Sequence, residues 1–217
     1  MAAKGAHKVT ADFEKALAEY TGAPYVVCVD NCSNALFLAL MHYGIKNKAI
    51  YIPANTYPSV PCEIVHAGGK VDFFAPRKDG LLRGAYQLWP TPVYDSALRF
   101  TWQMYKPNTY MCVSFTGARK ILKLEKGGAI LTDDRVAYEW FKRARFSGRR
   151  ECSYHEDVFN FETSGWNFWM MPSIAARGLM MMEQLYDFNG TPLDVPDLEL
   201  PYPDLSRAEH TMWRAAK

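Results

Sequence analysis

The chain has 217 residues with 49% hydrophobic and 22% charged side chains, ordinary values for a globular domain with a sizeable core. Its formal net charge of +2, without a basic stripe, argues against nucleic acid as a partner. No apolar run reaches transmembrane length and the N-terminus lacks the apolar core of a signal peptide, so the sequence predicts neither a membrane span nor secretion.

The cysteines favour a cytoplasmic location. There are five of them, an odd number with no paired C-x-x-C spacing. Four lie in apolar surroundings, which favours reduced, buried thiols over disulfides or a metal site. We therefore predict a cytoplasmic protein without a bound metal.

Predicted helices and short apolar strands alternate in the first third of the chain. In order they are a helix capped by Thr10 and ending at Gly22, a strand at 25–29, a helix ending at Gly44, a strand at 49–52, a helix at 59–67 and a strand at 71–74. This rhythm predicts an α/β fold, a mostly parallel open sheet flanked by helices.

The rest of the chain is less regular. Residues 76–91 hold no periodic pattern, and the later predicted elements are strands at 92–94, 110–115 and 128–131 and helices at 135–148 and 172–188. The residues from 189 onward are rich in proline and acidic side chains and are predicted to be extended. We expect one domain over residues 1–188 and a tail over 189–217.

Three chemically useful side chains follow strands of this sheet. Asp95 follows the strand at 92–94, Ser114 lies at the end of the strand at 110–115, and Lys120 comes a few residues later. Because ligands of α/β sheets gather at the carboxyl ends of strands, we expect these side chains to be neighbours. An acid, a hydroxyl and an amine together suit pyridoxal phosphate.

A turn of small polar residues, 30–34, links the strand at 25–29 to the next helix. Such a turn can offer free backbone N–H groups to an anion, and it can equally be a plain helix cap. The segment alone leaves both interpretations open.

Motifs along most of the chain resemble one family. They are Tyr20-Thr21-Gly22, Asp30 to Leu36, Pro53 to Tyr57, Tyr94-Asp95-Ser96-Ala97, Ser114-Phe115 followed by Lys120 and Gly127-Gly128-Ala129-Ile130, and Gly165 to Met170 followed by Gln184-Leu185. In this order they resemble the DegT/DnrJ/EryC1/StrS family of pyridoxal-phosphate-dependent sugar aminotransferases, which have fold type I.

The resemblance implies a role for each matching residue. Lys120 would carry the cofactor as an internal aldimine and move the proton, and Asp95 would pair with the pyridine nitrogen. Tyr57 and Ala97 would lie on the two faces of the ring. The phosphate would be bound by the Cys32 backbone, Ser33, Ser114 and Asn167, the last of these from the neighbouring subunit of a homodimer with shared sites.

The sequence also departs from the family pattern. Counting from Ser114 would put Arg119 at the lysine position, whereas counting back from Gly127 gives Lys120, which we adopt because arginine cannot form the aldimine. Leu98 and Trp169 replace polar residues of the family. The chain is expected to be a shortened form, lacking residues between 75 and 92 and the family's C-terminal small domain.

Two functions from different classes remain open. The first is an aminotransferase that moves an amino group from a small-molecule donor to a keto-sugar or a nucleotide-linked keto-sugar. The second is a degenerate relative that binds pyridoxal phosphate or a protein partner without turnover. The presence of both Lys120 and Asp95 favours the enzyme. The aromatic and methionine residues of 150–171, which lack any periodicity, favour a dimer interface.

Overall fold

The structure, a computed structural model, describes residues 6–151, 161 and 163–208. Its helices are α1 (Ala6–Thr21), α2 (Cys32–Tyr43), α3 (Ser59–His66), α4 (Arg135–Ala144) and α5 (Pro172–Met181). Its strands are β1 (Tyr25–Val29), β2 (Ala49–Pro53), β3 (Lys70–Phe74), β4 (Leu81–Gln87), β5 (Val93–Leu98), β6 (Tyr110–Ser114), β7 (Gly128–Thr132) and β8 (Glu199–Pro201). Two 3₁₀ turns cover Met182–Leu185 and Leu205–Arg207.

The predicted α/β class is confirmed, but the predicted direction of the strands is wrong. The main sheet has the order β1-β7-β6-β5-β4-β8, and β5–β6 is its parallel pair while the other neighbours are antiparallel. The chain returns from β4 to β5 and from β6 to β7 through loops that let each pair run antiparallel, whereas β5 and β6 are joined by the longer crossover of residues 99–109, which contains no helix. The second parallel pair, β2–β3, is connected through α3 and forms a separate two-stranded sheet.

Strand β4 occupies the region that the sequence predicted to be irregular. It pairs with β5 on one side and with β8 on the other. Just after it, the backbones of Trp89 and Tyr51 exchange hydrogen bonds of 2.8 and 3.1 Å, which attach the β2–β3 sheet to the main one. The 76–91 segment therefore connects the two sheets.

Helices cover both faces of the main sheet and create two apolar cores. On one face, α2, α3 and α4 enclose a core that includes Val27, Val93 and Ile130. On the other face, α1 and α5 pack on alternate residues of the same strands, such as Val26, Met111 and Leu131. Successive residues of a strand point to opposite faces, so the continuous apolar runs of β1, β6 and β7 contribute side chains to both cores.

The C-terminal segment of the described chain runs along the molecule and joins the main sheet. Strand β8 pairs with β4, and the guanidinium of Arg99 donates two hydrogen bonds, of 2.9 and 2.6 Å, to the carboxylate of Asp197. Further on, the Leu205 amide donates to the Ala54 carbonyl at 3.0 Å. The segment thus links the exit of β5 to the exit of β2.

Candidate active site

The first site residue, Asp95, lies inside β5 rather than after its end. The sequence predicted a strand that stops at Tyr94, but β5 continues to Leu98. The carboxylate is therefore buried, with 4% of the residue exposed, and projects toward the core formed by α2. A helix beginning at Ser96, which would have made Asp95 an N-cap, does not form.

A β-bulge supplies one partner of this carboxylate. Gly84 pairs with Leu98 and Tyr86 with Asp95, so two residues of β5, Ser96 and Ala97, lie opposite one residue of β4. The Ala97 amide donates instead to Asp95 Oδ1 at 2.9 Å. The bulge thus turns a backbone N–H toward the acid.

A chain of hydroxyl groups supplies the second partner. The Tyr86 hydroxyl donates to Asp95 Oδ2 at 2.9 Å, and the Thr56 hydroxyl lies 2.5 Å from the Tyr86 oxygen. Burial raises the pKa of Asp95, while the two hydrogen bonds and the nearby charge of Lys120 act in the opposite direction. Burial also raises the pKa of Tyr86 well above its usual range, so that hydroxyl stays protonated and remains a donor.

Lys120 lies in the loop between β6 and β7 and its amine is enclosed. The loop is closed by backbone hydrogen bonds, among them Lys120 N–H to the Gly117 carbonyl at 3.1 Å. Its Nζ is buried and has no hydrogen-bond partner among the described residues. Burial lowers the pKa of this amine. The nearby Cys32 and Asp95 raise it, but by less than burial lowers it. The neighbouring Arg119, the alternative in the sequence count, is exposed.

The N-terminus of α2 lies directly against this site because Gly128 has no side chain. A Cβ on Gly128 would lie 2.6 Å from the Cys32 nitrogen and 2.7 Å from the Asn31 carbonyl carbon. The side chain of Asn31 caps the helix by accepting from the Asn34 amide at 2.8 Å. Ser33, which follows, shares a 2.7 Å hydrogen bond with the hydroxyl of Ser59 at the start of α3.

A cavity of ≈ 260 Å³ adjoins Lys120. Ala97 and Ser114 line it together with Lys120, so it contains three of the predicted cofactor residues. Its charged lining residues are the basic Arg99, Arg119, Lys120 and Lys123, and the C-terminal segment closes it through Val195, Pro196 and Leu198. Asp95, Cys32, Ser33 and Tyr57 are not among the lining residues, which places the cavity beside the acid rather than around it.

Tyr57 lies at the outer edge of the site. It is 54% exposed, and its ring meets that of Tyr202 edge-on with 6.0 Å between the centroids. The pKa of Tyr202 is raised, first by burial and then by the charge of Asp95. The C-terminal segment therefore brings an aromatic hydroxyl to the same edge.

Asn167, like Tyr57, lies at the surface. It is exposed, and its backbone forms an antiparallel bridge with Phe146. Much of the aromatic segment around it, residues 152–160 and 162 with Cys152, lies outside the described residues. Its predicted contact with a second subunit stays a prediction.

Sequence reasoning missed the hydroxyl groups that surround the acid. Tyr86 lies in a segment without periodicity, and Thr56 is hidden in the turn that also holds Tyr57. The alternation in Leu81–Gln87 is interrupted by Gly84, which removes the usual signal of a strand. Tyr202 is distant from Tyr57 and Asp95 in the sequence, and only the fold brings it near them.

Within the described residues, no group of histidine, cysteine, aspartate or glutamate side chains is arranged to hold a metal ion. None of the described helices has the length and apolar character needed to cross a membrane.

The N-terminal part of the chain is similar to a known family. The family model of the DegT/DnrJ/EryC1/StrS aminotransferases matches residues 4–81. The resemblance to this family is confirmed. Two curated transaminases from Campylobacter jejuni, named for UDP-4-amino-4,6-dideoxy-N-acetyl-beta-L-altrosamine, are 34% and 32% identical to this chain over 69 and 76 residues.

Solved structures of other proteins share the fold over most of the chain. AtS13 from Actinomadura melliaura superposes with a TM-score of 0.67 at 18% identity, covering 83% of this chain and 60% of that one. PseC from Helicobacter pylori, an aminotransferase of pseudoaminic acid biosynthesis, gives 0.66 at 17% identity, with 84% and 58% covered. DesV from S. venezuelae gives 0.66 at 19% identity, with 83% and 57% covered.

These matches cover only part of each relative. The alignments with the two transaminases span 32% and 35% of this chain and 18% and 20% of theirs. The family-model match, residues 4–81, includes the α2 N-terminus and ends before Asp95 and Lys120. The fold is thus shared broadly, while the matching sequence lies in the N-terminal part.

Proposed function

We propose that the protein is a pyridoxal-phosphate-dependent aminotransferase that acts on a keto-sugar or a nucleotide-linked keto-sugar. The observation that carries the proposal is the buried amine of Lys120, which has no hydrogen-bond partner among the described residues and lies within electrostatic reach of the buried carboxylate of Asp95. A buried amine without a partner is unfavourable in a purely structural role, and perturbed ionisable groups of this kind concentrate at functional sites.

The residues present fit the cofactor. Lys120 would hold it covalently through Nζ, since burial lowers the pKa of this amine and increases its neutral, nucleophilic fraction. Asp95 would hold the proton on the ring nitrogen through the lone pairs that Ala97 and Tyr86 leave free. When bound, pyridoxal phosphate supplies the electron sink that the reaction needs.

The remaining predicted residues would bind and orient the cofactor. The Cys32 backbone at the start of α2, the Ser33 hydroxyl and Ser114 would bind the phosphate, helped by the positive end of the helix dipole. Tyr57 and Ala97 would lie against the ring faces. Freed from the cofactor, the Lys120 amine would move the substrate proton as a general base and acid.

The cavity beside Lys120 supports the substrate class. Arg119 and Lys123 give its lining a positive charge, and the diphosphate of a nucleotide-linked sugar carries a negative one. The names of the matching Campylobacter jejuni proteins, which are UDP-sugar transaminases, point in the same direction. The amino donor, the sugar and its ring position stay open.

The proposal extends to domain organisation, assembly and location. Residues 1–188 would form the cofactor-binding domain of a cytoplasmic homodimer, with Asn167 reaching the phosphate of its neighbour. Mixing Lys120→Ala chains with Asn167→Asp chains tests the shared site, because hybrid dimers would contain one site free of both changes. Cofactor binding should then partly return, whereas a monomer in sedimentation would contradict the assembly.

One observation favours the alternative, a relative that binds the cofactor or a partner without turnover. The Ser33 hydroxyl is already hydrogen-bonded to Ser59, although the proposal assigns it to the phosphate. The alternative predicts that cofactor or partner binding is retained while the amino group of a donor is never transferred.

Absorption spectroscopy with added pyridoxal phosphate tests the proposal. Protein that binds the cofactor through Lys120 should show a visible band that disappears on borohydride reduction and leaves a pyridoxyl group on Lys120 in a peptide map. Lys123→Met, a change of an exposed lysine in the same loop, should keep the band, and Lys120→Met should lose it. A label on another lysine would contradict the assignment of Lys120. A band without amino transfer would favour the alternative.

A further inference from the structure

The hydroxyl chain Thr56–Tyr86–Asp95 connects three elements that the sequence did not relate. Thr56 follows β2, Tyr86 lies in β4 and Asp95 lies in β5. Tyr86 and Asp95 are direct cross-strand partners, and Thr56 is fully buried. The turn after β2 thereby contributes a buried hydroxyl to the site.

Which hydroxyl donates to which oxygen along the hydroxyl chain depends on whether Asp95 is ionised. An ionised carboxylate only accepts hydrogen bonds, so Tyr86 gives its one proton to Oδ2, at 2.9 Å. The Thr56 hydroxyl must then donate to the Tyr86 oxygen, at 2.5 Å. A neutral Asp95 could itself become a donor, and the order of donors could reverse.

The carboxylate is held from both sides in the ionised arrangement. Ala97 N–H holds Oδ1 and the Tyr86 hydroxyl holds Oδ2, which together prevent rotation of the group. Each carboxylate oxygen accepts more than one hydrogen bond, so lone pairs remain on both. A fixed and ionised acceptor is what a protonated ring nitrogen requires.

We propose that Tyr86, supported by Thr56, is a positioning residue that keeps Asp95 ionised and oriented as the acceptor for a cationic ring nitrogen. The inference rests on the proposed function only for the identity of that cation. It assigns a role to β4, a strand that carries none of the residues of the family resemblance.

Several other ionisable groups face Asp95. From the packed elements they are Lys120 of the β6–β7 loop, Cys32 of α2, Cys112 of β6, Tyr202 of the C-terminal segment and Tyr86 itself. Burial raises the pKa of both thiols well above their usual range, so they stay neutral. Lys120 is therefore the group among these neighbours that can carry a positive charge, and Tyr86 is the one that donates a hydrogen bond to the carboxylate.

The test measures the titration of Asp95 in the protein without cofactor. In Tyr86→Phe the carboxylate loses a donor, so its pKa should rise by about one pH unit or more, followed by NMR of ¹³C-labelled aspartate carboxyl carbons. Tyr94→Phe is the matched control, since the Tyr94 hydroxyl bonds Gln87 between the same two strands at 3.1 Å and does not contact Asp95. The control should leave the titration unchanged.

A second variant keeps the test decisive if Tyr86→Phe fails to fold. Thr56→Val preserves the shape of the buried side chain and removes the hydroxyl behind Tyr86, so it should shift the titration in the same direction by less. An unchanged titration in a folded Tyr86→Phe protein, or an equal shift in Tyr94→Phe, would overturn the inference.

Cofactor binding then separates this inference from the proposed function. Equilibrium dialysis with pyridoxal phosphate should give a Kd in Tyr86→Phe that is raised by about tenfold, and more steeply raised at acidic pH. A shifted titration in a protein that never binds the cofactor would leave the role of Tyr86 toward Asp95 intact and refute the proposed function. A shifted titration with unchanged cofactor affinity at every pH would refute the orientation toward the ring nitrogen.

Discussion

Two groups of buried charges in this protein are built in opposite ways. The ion-pair cluster consists of Glu14, Lys142, Arg145 and Glu151, between α1, α4 and the segment after α4. Arg145 is fully buried and bonds both glutamates, and Lys142 lies 3.0 Å from Glu14 and 2.7 Å from Glu151. Two positive and two negative groups therefore compensate each other.

The site pair, Asp95 and Lys120, is only half compensated. The carboxylate has two hydrogen bonds, but none comes from Lys120, whose amine has no hydrogen-bond partner in the described part of the chain. The two side chains interact electrostatically, but they do not form an ion pair. A protein built only for stability would close this gap or fill it with apolar atoms.

The pKa directions express the same contrast. In the cluster, burial would raise the pKa of Glu151, but Arg145 and Lys142 lower it to about 2, so its charged state is stabilised. In the site pair, burial raises the pKa of Asp95 and lowers that of Lys120, so both charged states are disfavoured. Complete pairing of buried charges indicates a structural role, and incomplete pairing indicates a ligand-binding site.

The largest expected effect comes from breaking the cluster. Arg145→Met removes the buried cation and leaves two carboxylates with only Lys142 between them. Breaking a buried pair in this way should lower the free energy of unfolding by about 3–5 kcal/mol. Urea unfolding at neutral pH measures the loss.

Arg207→Met is the control for this measurement. The side chain of Arg207 is 84% exposed and pairs with Asp204 at the surface, so its loss should change the free energy of unfolding by about 1 kcal/mol or less. If the two variants unfolded at the same urea concentration, the cluster would not have the structural role assigned to it.

The same contrast explains which parts of the structure the sequence could predict. Helix and strand periodicity predicted α1 to α5, β1 to β3 and β5 to β7, and the order of strands predicted that Asp95 and Lys120 would be neighbours. The α/β class follows from such local patterns because each element buries one face or both. The ends of elements were less predictable, as α5 stops at Met181 and continues as a 3₁₀ turn.

Other features depend on contacts that no local pattern records. The antiparallel β4 is invisible because Gly84 interrupts its alternation, and Gly84 itself is required by the approach of Asp197, which lies 2.2 Å from the position of a Cβ there. The burial of Arg145 is equally hidden, since in the sequence it is one basic residue at the polar end of an amphipathic helix. Both depend on segments that are distant along the chain.

A smaller change in the free energy of unfolding, of opposite sign, is expected at the site pair. Lys120→Met keeps the length of the side chain and removes a buried amine that has no hydrogen-bond partner within the described residues. Because an unsatisfied buried polar group destabilises the folded state, the variant should raise the free energy of unfolding by about 1 kcal/mol at neutral pH while abolishing cofactor attachment. Stability gained with function lost would mark the amine as functional.

The pH dependence of this gain tests its cause. The folded pKa of Lys120 lies below its ordinary value of 10.5, so between the two values the unfolded chain binds more protons than the folded one. The stability of the native protein relative to Lys120→Met should therefore rise with pH across that window, and the advantage of the variant should shrink as the pH rises from the lowered folded pKa toward 10.5. Lys123→Met, in the same loop but exposed, should show neither the gain nor its pH dependence. If Lys120→Met were instead destabilised by as much as Arg145→Met, Lys120 would belong with the structural charges, and the distinction between the two groups would be lost.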